Sequence, residues 1–170
     1  MIVRPATPAD AETIEHIRIR GWQVAYRHVF PAAALDALEL DPARWRRRLE
    51  RPPPGWATLV AEARGRVVGF ASTGPSRDER DIGELYAIYV DPDEWSRGAG
   101  RTLITAAEAR LAVEYVEATL WVLADNSRAR SFYETAGWRC DGGRQVVERL
   151  GVAAPEVRYR KLLPTTIANT

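Results

Sequence analysis

The sequence predicts a single domain of the mixed α/β class, of the α+β type. At 170 residues the chain can bury one hydrophobic core without disulfides or metals. Its apolar patterns follow the order strand, helices, three strands, helix, strand, helix and two strands, which is not a regular alternation of strand and helix. No internal repeat or long linker interrupts this order. We therefore expect one domain over residues 1–163, followed by a frayed tail over residues 164–170.

The N-terminal region is predicted to contain one strand and a helix. Ile2–Pro5 is the strand, and Thr7, Pro8 and Asp10 fit the N-cap, the first position and the first turn of the helix. Helical spacing divides this helix into a buried stripe and an aromatic side. The stripe comprises Ile14, Ile17, Gly21 and Val24, and the aromatic side comprises Trp22, Tyr26 and Phe30.

The next region continues with helix and then a β-hairpin. Helix is expected over residues 32–39 and 42–49, and it ends before a run of prolines. Two apolar runs, residues 56–63 and 67–73, flank a short glycine-containing turn, which is the pattern of a hairpin.

A strand ending at Val90 leads into a glycine-bearing loop and an apolar-striped helix. Asp91-Pro92 makes a sharp turn, and Gly98 and Gly100 precede the helix. Backbone N–H groups at a helix start lack intrahelical partners and lie at the positive end of the helix dipole. The segment therefore predicts an anion site that a phosphate can approach closely. The apolar stripe of the helix is Leu103, Ile104, Ala107 and Leu111.

The C-terminal region is predicted to contain a strand, a helix and two strands. Residues 119–123 form an apolar strand, Asn126 can cap the following helix, and Gly137 can end it in a left-handed conformation. The last strands are expected near residues 138–147 and 156–162.

Composition excludes several functions. A net charge of +1 offers no extended basic surface for nucleic acid. Cys140 is the only cysteine, so no internal disulfide can form, and a reducing cytoplasm is the expected location. His16 and His28 lack the carboxylate spacing of a metal site or a catalytic triad, so no metal is expected. No apolar stretch is long enough for a signal peptide or a membrane span.

Two motifs resemble those of a known enzyme superfamily. Arg97-Gly98-Ala99-Gly100 lies between a strand and a helix, and Asn126 stands six residues before Phe132-Tyr133. Their order and separation resemble the acetyl-CoA loop and the second signature of the GCN5-related N-acetyltransferase (GNAT) superfamily. The likeness covers almost the whole chain. It implies a GNAT fold, with a central, mostly antiparallel sheet of about six to seven strands flanked by about four helices.

The resemblance implies a binding set for acetyl-CoA, the acetyl donor. Main-chain N–H groups of residues 96–102 would bind the pyrophosphate, Ile88 would face the thioester carbonyl, and Val90 would pair with the pantetheine arm. Trp95 and Ser96 depart from the family pattern, which bears on affinity more than on identity because the donors are mainly backbone groups. The expected set is Ile88, Tyr89, Val90, Ser96, Arg97, Gly98, Ala99, Gly100, Arg101, Thr102 and Asn126, with Arg128 or Arg130 as an option for the 3′-phosphate.

Glu84 is the candidate general base by the same resemblance. It matches the glutamate that serves as base in the histone-acetylating branch of the superfamily. The period of two along a strand places it on one face with Tyr86, Ile88 and Val90. Other relatives use other groups or a water chain. Glu79, Asp81 and a chain of waters therefore remain open as alternatives for the general base.

Tyr133 matches the family tyrosine that protonates the departing thiolate. A phenol suits this role because it stays protonated at neutral pH.

The helical region after the first strand usually forms the acceptor wall in GNAT folds. Trp22 and Tyr26 are therefore the candidate substrate contacts, suited to cation–π binding of an amine.

The resemblance implies an N-acetyltransferase that moves an acetyl group directly to a primary amine of a small molecule or peptide. The alternative is a non-catalytic sensor that binds acetyl-CoA. A dinucleotide-binding domain is disfavoured, because Leu103 stands where its third small residue belongs. Relatives often pair through edge strands near the C-terminus, which leaves a homodimer open.

Overall fold

Seven strands form one central sheet, and helices cover both of its faces. The computed structural model describes residues 1–164, so the predicted tail lies almost entirely outside the described residues. The strands are β1 (Ile2–Pro5), β2 (Ala57–Ala63), β3 (Arg66–Pro75), β4 (Gly83–Val90), β5 (Glu117–Leu123), β6 (Arg139–Arg149) and β7 (Val152–Leu162). The α-helices are α1 (Ala11–Ala25), α2 (Ala32–Asp36), α3 (Pro42–Glu50), α4 (Ala99–Leu111) and α5 (Ser127–Thr135).

The strands lie in the order β1-β2-β3-β4-β5-β7-β6. Only the β4–β5 pair is parallel among the strand pairs of residues 1–164, and the other pairs are antiparallel. The mixed fold class and the mostly antiparallel sheet are therefore confirmed. The described residues form five α-helices, one more than expected, because the region after β1 contains three.

Local signals determine the ends of several elements. Thr7 and Asp10 close a short 3-10 turn ahead of α1, with Thr7 N donating to Asp10 Oδ2 over 2.7 Å. Gly137 follows α5 with a φ of +89°, which a glycine adopts without a Cβ clash. The predicted α1 stripe is correct at Ile14, Ile17 and Gly21 and wrong at Val24, whose exposed fraction is 51%.

Two hydrophobic layers hold the sheet. One lies between the sheet and helices α4 and α5, and it includes the predicted stripe of α4. The other lies between the sheet and helices α1 and α3, where Trp45 packs on Phe70 with ring centroids 5.1 Å apart. Cys140 is exposed on β6. Helices thus cover the centre of the sheet on both faces, whereas much of the edge strand β6 is exposed.

Candidate active site

A cleft opens in the middle of the sheet where β4 and β5 separate. The two strands pair only at their starts, Gly83 with Ala118 and Glu84 with Thr119. Beyond this point β5 continues to pair with β7 alone. The gap leads into a cavity of about 1060 Å³ that reaches both faces of the sheet. A cavity of this size accommodates an extended ligand together with a second small molecule.

The backbone of β4 points into this gap near its end. Asp91 N donates to Val68 O on the β3 side over 2.8 Å. Because neighbouring residues in a strand direct their backbone groups to opposite sides, those of Val90 and Ile88 face the gap. The indole of Trp95 confirms this direction, since its Nε1 donates to Val90 O over 2.9 Å. Ile88 and Val90 thus have the orientation expected for strand-like pairing with a bound arm.

The glycine loop forms the N-terminus of α4. Gly98 has a φ of +91° and precedes Ala99, the first residue of the helix. The first bond along the helix runs from Thr102 N to Gly98 O over 3.0 Å, which leaves the N–H groups before it for an external anion. A Cβ at Gly98 would meet no atom within 4 Å, so this position faces open space. At Gly100 a Cβ would lie 3.2 Å from the Phe132 ring, so this glycine also allows α5 to pack closely.

The predicted loop residues divide into two groups. The group that lines the cavity is Ser96, Gly98, Gly100 and Arg101. The side chains of the other group stabilise the loop: Arg97 pairs with Glu94 at 3.4 Å, Thr102 Oγ1 donates to Gly98 O over 3.0 Å, and Ala99 is buried. Positive charge at the anion site therefore comes from the helix terminus and Arg101 rather than from Arg97.

Trp95 also positions a cation beside the loop. The Arg128 guanidinium lies 3.8 Å from the centre of the Trp95 ring and lines the cavity. Arg130 instead donates to Ala124 O and to Tyr159 Oη, each over 3.0 Å. Of the two arginines considered for the 3′-phosphate, Arg128 is therefore the one that faces the cavity. The stacking partner could not be found from the sequence, because Trp95 and Arg128 are far apart in the chain.

A bulge in β4 changes which residues share a face. Ser72 and Thr73 are adjacent on β3, yet their partners on β4, Ala87 and Leu85, are two residues apart. Tyr86 is the extra residue, and it interrupts the alternation of side chains.

The expectation that Glu84 shares a face with Ile88 and Val90 is therefore wrong. Ile88 and Val90 pack against the layer of α4 and α5. Tyr86 lies on the opposite face, where its ring stacks on Trp56 with centroids 4.1 Å apart. Glu84 directly precedes Leu85 and lies two residues before Tyr86. Because side chains alternate between the two faces along this part of the strand, Glu84 lies on the same face as Tyr86.

Glu84 is engaged in a buried ion pair and does not line the cavity. Its exposed fraction is 0%, and it accepts hydrogen bonds from Arg77 N at 2.9 Å and from Arg77 Nε at 3.1 Å, besides a short contact to Nη2. The carboxylate raises the pKa of the Arg77 guanidinium. A carboxylate without accessible surface cannot take a proton from a cavity ligand directly, so the geometry disfavours Glu84 as base. Glu79, the alternative, is paired with Arg158 at 2.7 Å.

Tyr133 and Asn126 lie together on the cavity wall. Burial raises the pKa of the Tyr133 phenol, so the group stays protonated at neutral pH. Asn126 Oδ1 accepts from Ala129 N over 3.1 Å and thereby caps α5, while the residue also lines the cavity. Asn126 is therefore both the N-cap of α5 and a residue of the cavity wall.

The aromatic side of α1 forms the opposite wall. Trp22 Nε1 donates to Tyr89 Oη over 2.9 Å, and the Trp22 ring stacks on Phe30 at 5.8 Å. Tyr26 meets Trp22 edge to face at 5.2 Å, and burial raises its pKa well above the ordinary value. Trp22 and Tyr26 both line the cavity, whereas Phe30 is core. The structure thus brings both predicted acceptor contacts to the cleft.

Within residues 1–164, no group of three or more His, Cys, Asp or Glu side chains could hold a metal ion. No helix in the same range is long and apolar enough to cross a membrane.

Comparisons with known proteins agree with this site. A family model described as the acetyltransferase (GNAT) family matches residues 15–138. The "Uncharacterized N-acetyltransferase YuaI" of Bacillus subtilis is 31% identical over 129 residues, which cover 73% of this chain and 72% of that protein. The "Probable N-acetyltransferase Rv2775" of Mycobacterium tuberculosis is 28% identical and covers 93% of this chain and 91% of its own length.

A solved structure gives the same fold. YncA of Salmonella typhimurium, determined with its cofactor acetyl-CoA, superposes with a TM-score of 0.76 at 20% identity and covers 100% of this chain and 98% of its own. The matched family region contains the glycine loop, both cleft strands and the Asn126 helix. The chain therefore belongs to the acetyltransferase (GNAT) family and is an acyltransferase.

Proposed function

We propose that this protein transfers an acetyl group from acetyl-CoA directly to a primary amine of a small molecule or peptide. The observation that supports the proposal is that Gly98 at the start of α4, Ile88 and Val90 of β4, and Tyr133 all line one cavity. Acetyl-CoA supplies an acetyl group already activated as a thioester. YncA, which has this fold, binds the same cofactor.

The chain's residues fit the parts of that cofactor. Backbone N–H groups after Gly98 bind the pyrophosphate, and Arg101 and Arg128 add positive charge. The edge of β4 at Val90 pairs with the pantetheine arm. Ile88 N–H faces the gap, where it stabilises negative charge on the carbonyl oxygen as the amine attacks.

Proton transfers are divided between Tyr133 and water. The new C–N bond forms while the C–S bond breaks, and Tyr133 donates its proton to the departing sulfur and regains one from the water that takes up the amine's proton. The attacking amine loses its proton to water in the open cavity, because Glu84 is sealed in its pair with Arg77. Glu84 is then a positioning residue that holds Arg77 beside Tyr86.

Calorimetric titration with acetyl-CoA, followed by thiol release across amine classes, tests this function. Gly98→Glu should abolish acetyl-CoA binding, because it places a carboxylate in the phosphate site. Gly142→Glu is the matched control, since Gly142 has a similar φ of +90°, an open surrounding and no place in the cavity. Binding that survives Gly98→Glu would refute the loop assignment, and binding without thiol release from any amine would favour the sensor.

A further inference from the structure

Four side chains form a stacked column on the acceptor side of the cleft. The rings of Trp56 and Tyr86 stack with centroids 4.1 Å apart and planes at 29°. The Arg48 guanidinium lies 4.8 Å from the Trp56 ring at one end, and the Arg77 guanidinium lies 5.2 Å from the Tyr86 ring at the other. All four line the cavity. The column therefore holds Arg48 of α3 in a defined place above the bulge of β4.

The two guanidinium groups differ in their charge balance. Arg77 is neutralised by Glu84. Arg48 belongs to no ion pair within residues 1–164, and neither does its neighbour Arg44, which also lines the cavity. Burial and the charge of Arg44 lower the pKa of Arg48. A lowered pKa is expected for a partly buried cation that has no carboxylate beside it. Arg18, the remaining arginine on this wall, is paired with Glu15 at 2.7 Å.

The carboxylates that line the cavity come from elements other than α1 and α3, and each of them already accepts a hydrogen bond. Glu94 accepts from Arg64 over 2.9 Å beside the glycine loop. Glu108 on α4 accepts from Lys161 over 2.7 Å. Glu156 on β7 accepts from Gln145 over 2.6 Å. Helices α1 and α3 contribute no acidic side chain to the described cavity wall, so this wall carries uncompensated positive charge.

We propose that the acceptor carries a carboxylate in addition to its amine, and that Arg48 binds this carboxylate. The inference rests on the proposed acetyl transfer and names its substrate class. A guanidinium stacked on an indole keeps its N–H edges free, and these match the two oxygens of a carboxylate. Arg44 adds attraction at the cavity mouth. Glu79, a carboxylate that could otherwise attract a cationic acceptor, is bound by Arg158 and Arg160.

The acceptor has to reach from Arg48 to the edge of β4. Arg48, Tyr86 and Ile88 line the same cavity, and Tyr86 is two residues from Ile88, a separation of about 6–7 Å along a strand. Arg48 lies beyond Trp56 from Tyr86, so the acceptor extends along the column when its carboxylate is at Arg48 and its amine is near Ile88. Its side chain would contact the aromatic wall that contains Trp22 and Tyr26.

The test is thiol release at saturating acetyl-CoA with matched acceptors. Each of the common α-amino acids is assayed as the free acid and as its carboxamide, with spermidine as a polycation. At least one free acid should exceed its carboxamide in kcat/KM by about 10-fold or more, as expected for hydrogen bonds between charged groups. Arg48→Gln should raise KM for that acid by about the same factor, with KM for the carboxamide unchanged. Arg46→Gln, exposed on the same helix and outside the cavity, should change neither value.

The other outcomes overturn the assignment. If carboxamides or spermidine are better acceptors than the free acids, carboxylate binding by Arg48 is refuted. The same holds if Arg48→Gln raises KM equally for the acid and its carboxamide. Acetyl-CoA binding without release from any free acid also refutes the substrate class. Absence of acetyl-CoA binding refutes instead the proposed function. Arg48→Lys retains the charge without the planar fork, and its KM for the acid should lie between those of the wild type and Arg48→Gln, which keeps the test valid if the glutamine variant does not fold.

Discussion

Replacing Glu84 by glutamine separates a structural role of this carboxylate from a catalytic one. Glutamine has nearly the same size and retains one acceptor oxygen, so the hydrogen bond from Arg77 N can persist. The charge opposite the Arg77 guanidinium is lost, and the amide presents N–H groups toward a donor. We therefore expect Glu84→Gln to lower the free energy of unfolding while leaving the acetylation rate of the folded protein nearly unchanged.

The expected decrease in the free energy of unfolding follows from how deeply each partner of the ion pair is buried. Glu84 has no exposed surface, whereas the Arg77 side chain is 57% exposed. Breaking a fully buried ion pair costs about 3–5 kcal/mol, but water can solvate Arg77 after the change, so we expect about 1.5 kcal/mol. For a chain of this length each kcal/mol shifts Tm by about 2–4 °C, which gives a decrease of about 3–6 °C.

Urea unfolding measures the stability, and thiol release at a temperature where both proteins are folded measures the rate. Glu50→Gln, which changes an exposed carboxylate at the end of α3, is the control and should leave both quantities unaltered. An unchanged unfolding midpoint with a rate decrease of about 100-fold would refute our reasoning and identify Glu84 as the general base.

Three further changes test the site and the fold. Tyr133→Phe should lower kcat by about 100-fold with the Kd for acetyl-CoA unchanged by calorimetry, and lost affinity at constant kcat would make Tyr133 a binding residue instead. Asn126→Ala should cost about 1 kcal/mol in urea unfolding, whereas Asn126→Asp should retain the helix cap, and equal losses would contradict the N-cap role. Hydrogen bonds from Arg4 lower the pKa of Asp10 from 3.8 to about 2. A lowered folded-state pKa stabilises the protein above pH 3.8, and this contribution disappears as the pH falls through about 2. Asp10→Asn should thus cost about 2 kcal/mol at pH 7 and almost nothing near pH 2, and a loss independent of pH would contradict the ion pair.

Local sequence signals predicted most of the fold and the cofactor half of the site. The Thr7 turn, the Gly98 loop, the Asn126 cap and the apolar stripe of α4 all have the predicted structure. Each depends on residues within a few positions of one another, because caps, glycine turns and helical faces follow from short-range hydrogen bonding and periodicity.

The acceptor half could not be predicted in this way. A single extra residue at Tyr86 moved Glu84 to the other face of β4, because side chains alternate with a period of two and any shift reverses them. Arg48 and Trp56 come from different elements that meet only when α3 packs on the sheet, and the same holds for Arg128 and Trp95.

The sequence by itself thus determined the family, the order of the elements and the glycine loop that opens α4, since these are encoded in contiguous segments. Only the tertiary structure decided which charges are neutralised and which face the cavity. Whether Glu84 is a base or a buried ion-pair partner depends on Arg77, and whether Arg48 is free depends on every carboxylate that could have reached it. Electrostatic pairing requires proximity in space, and packing of the helices on the sheet creates that proximity.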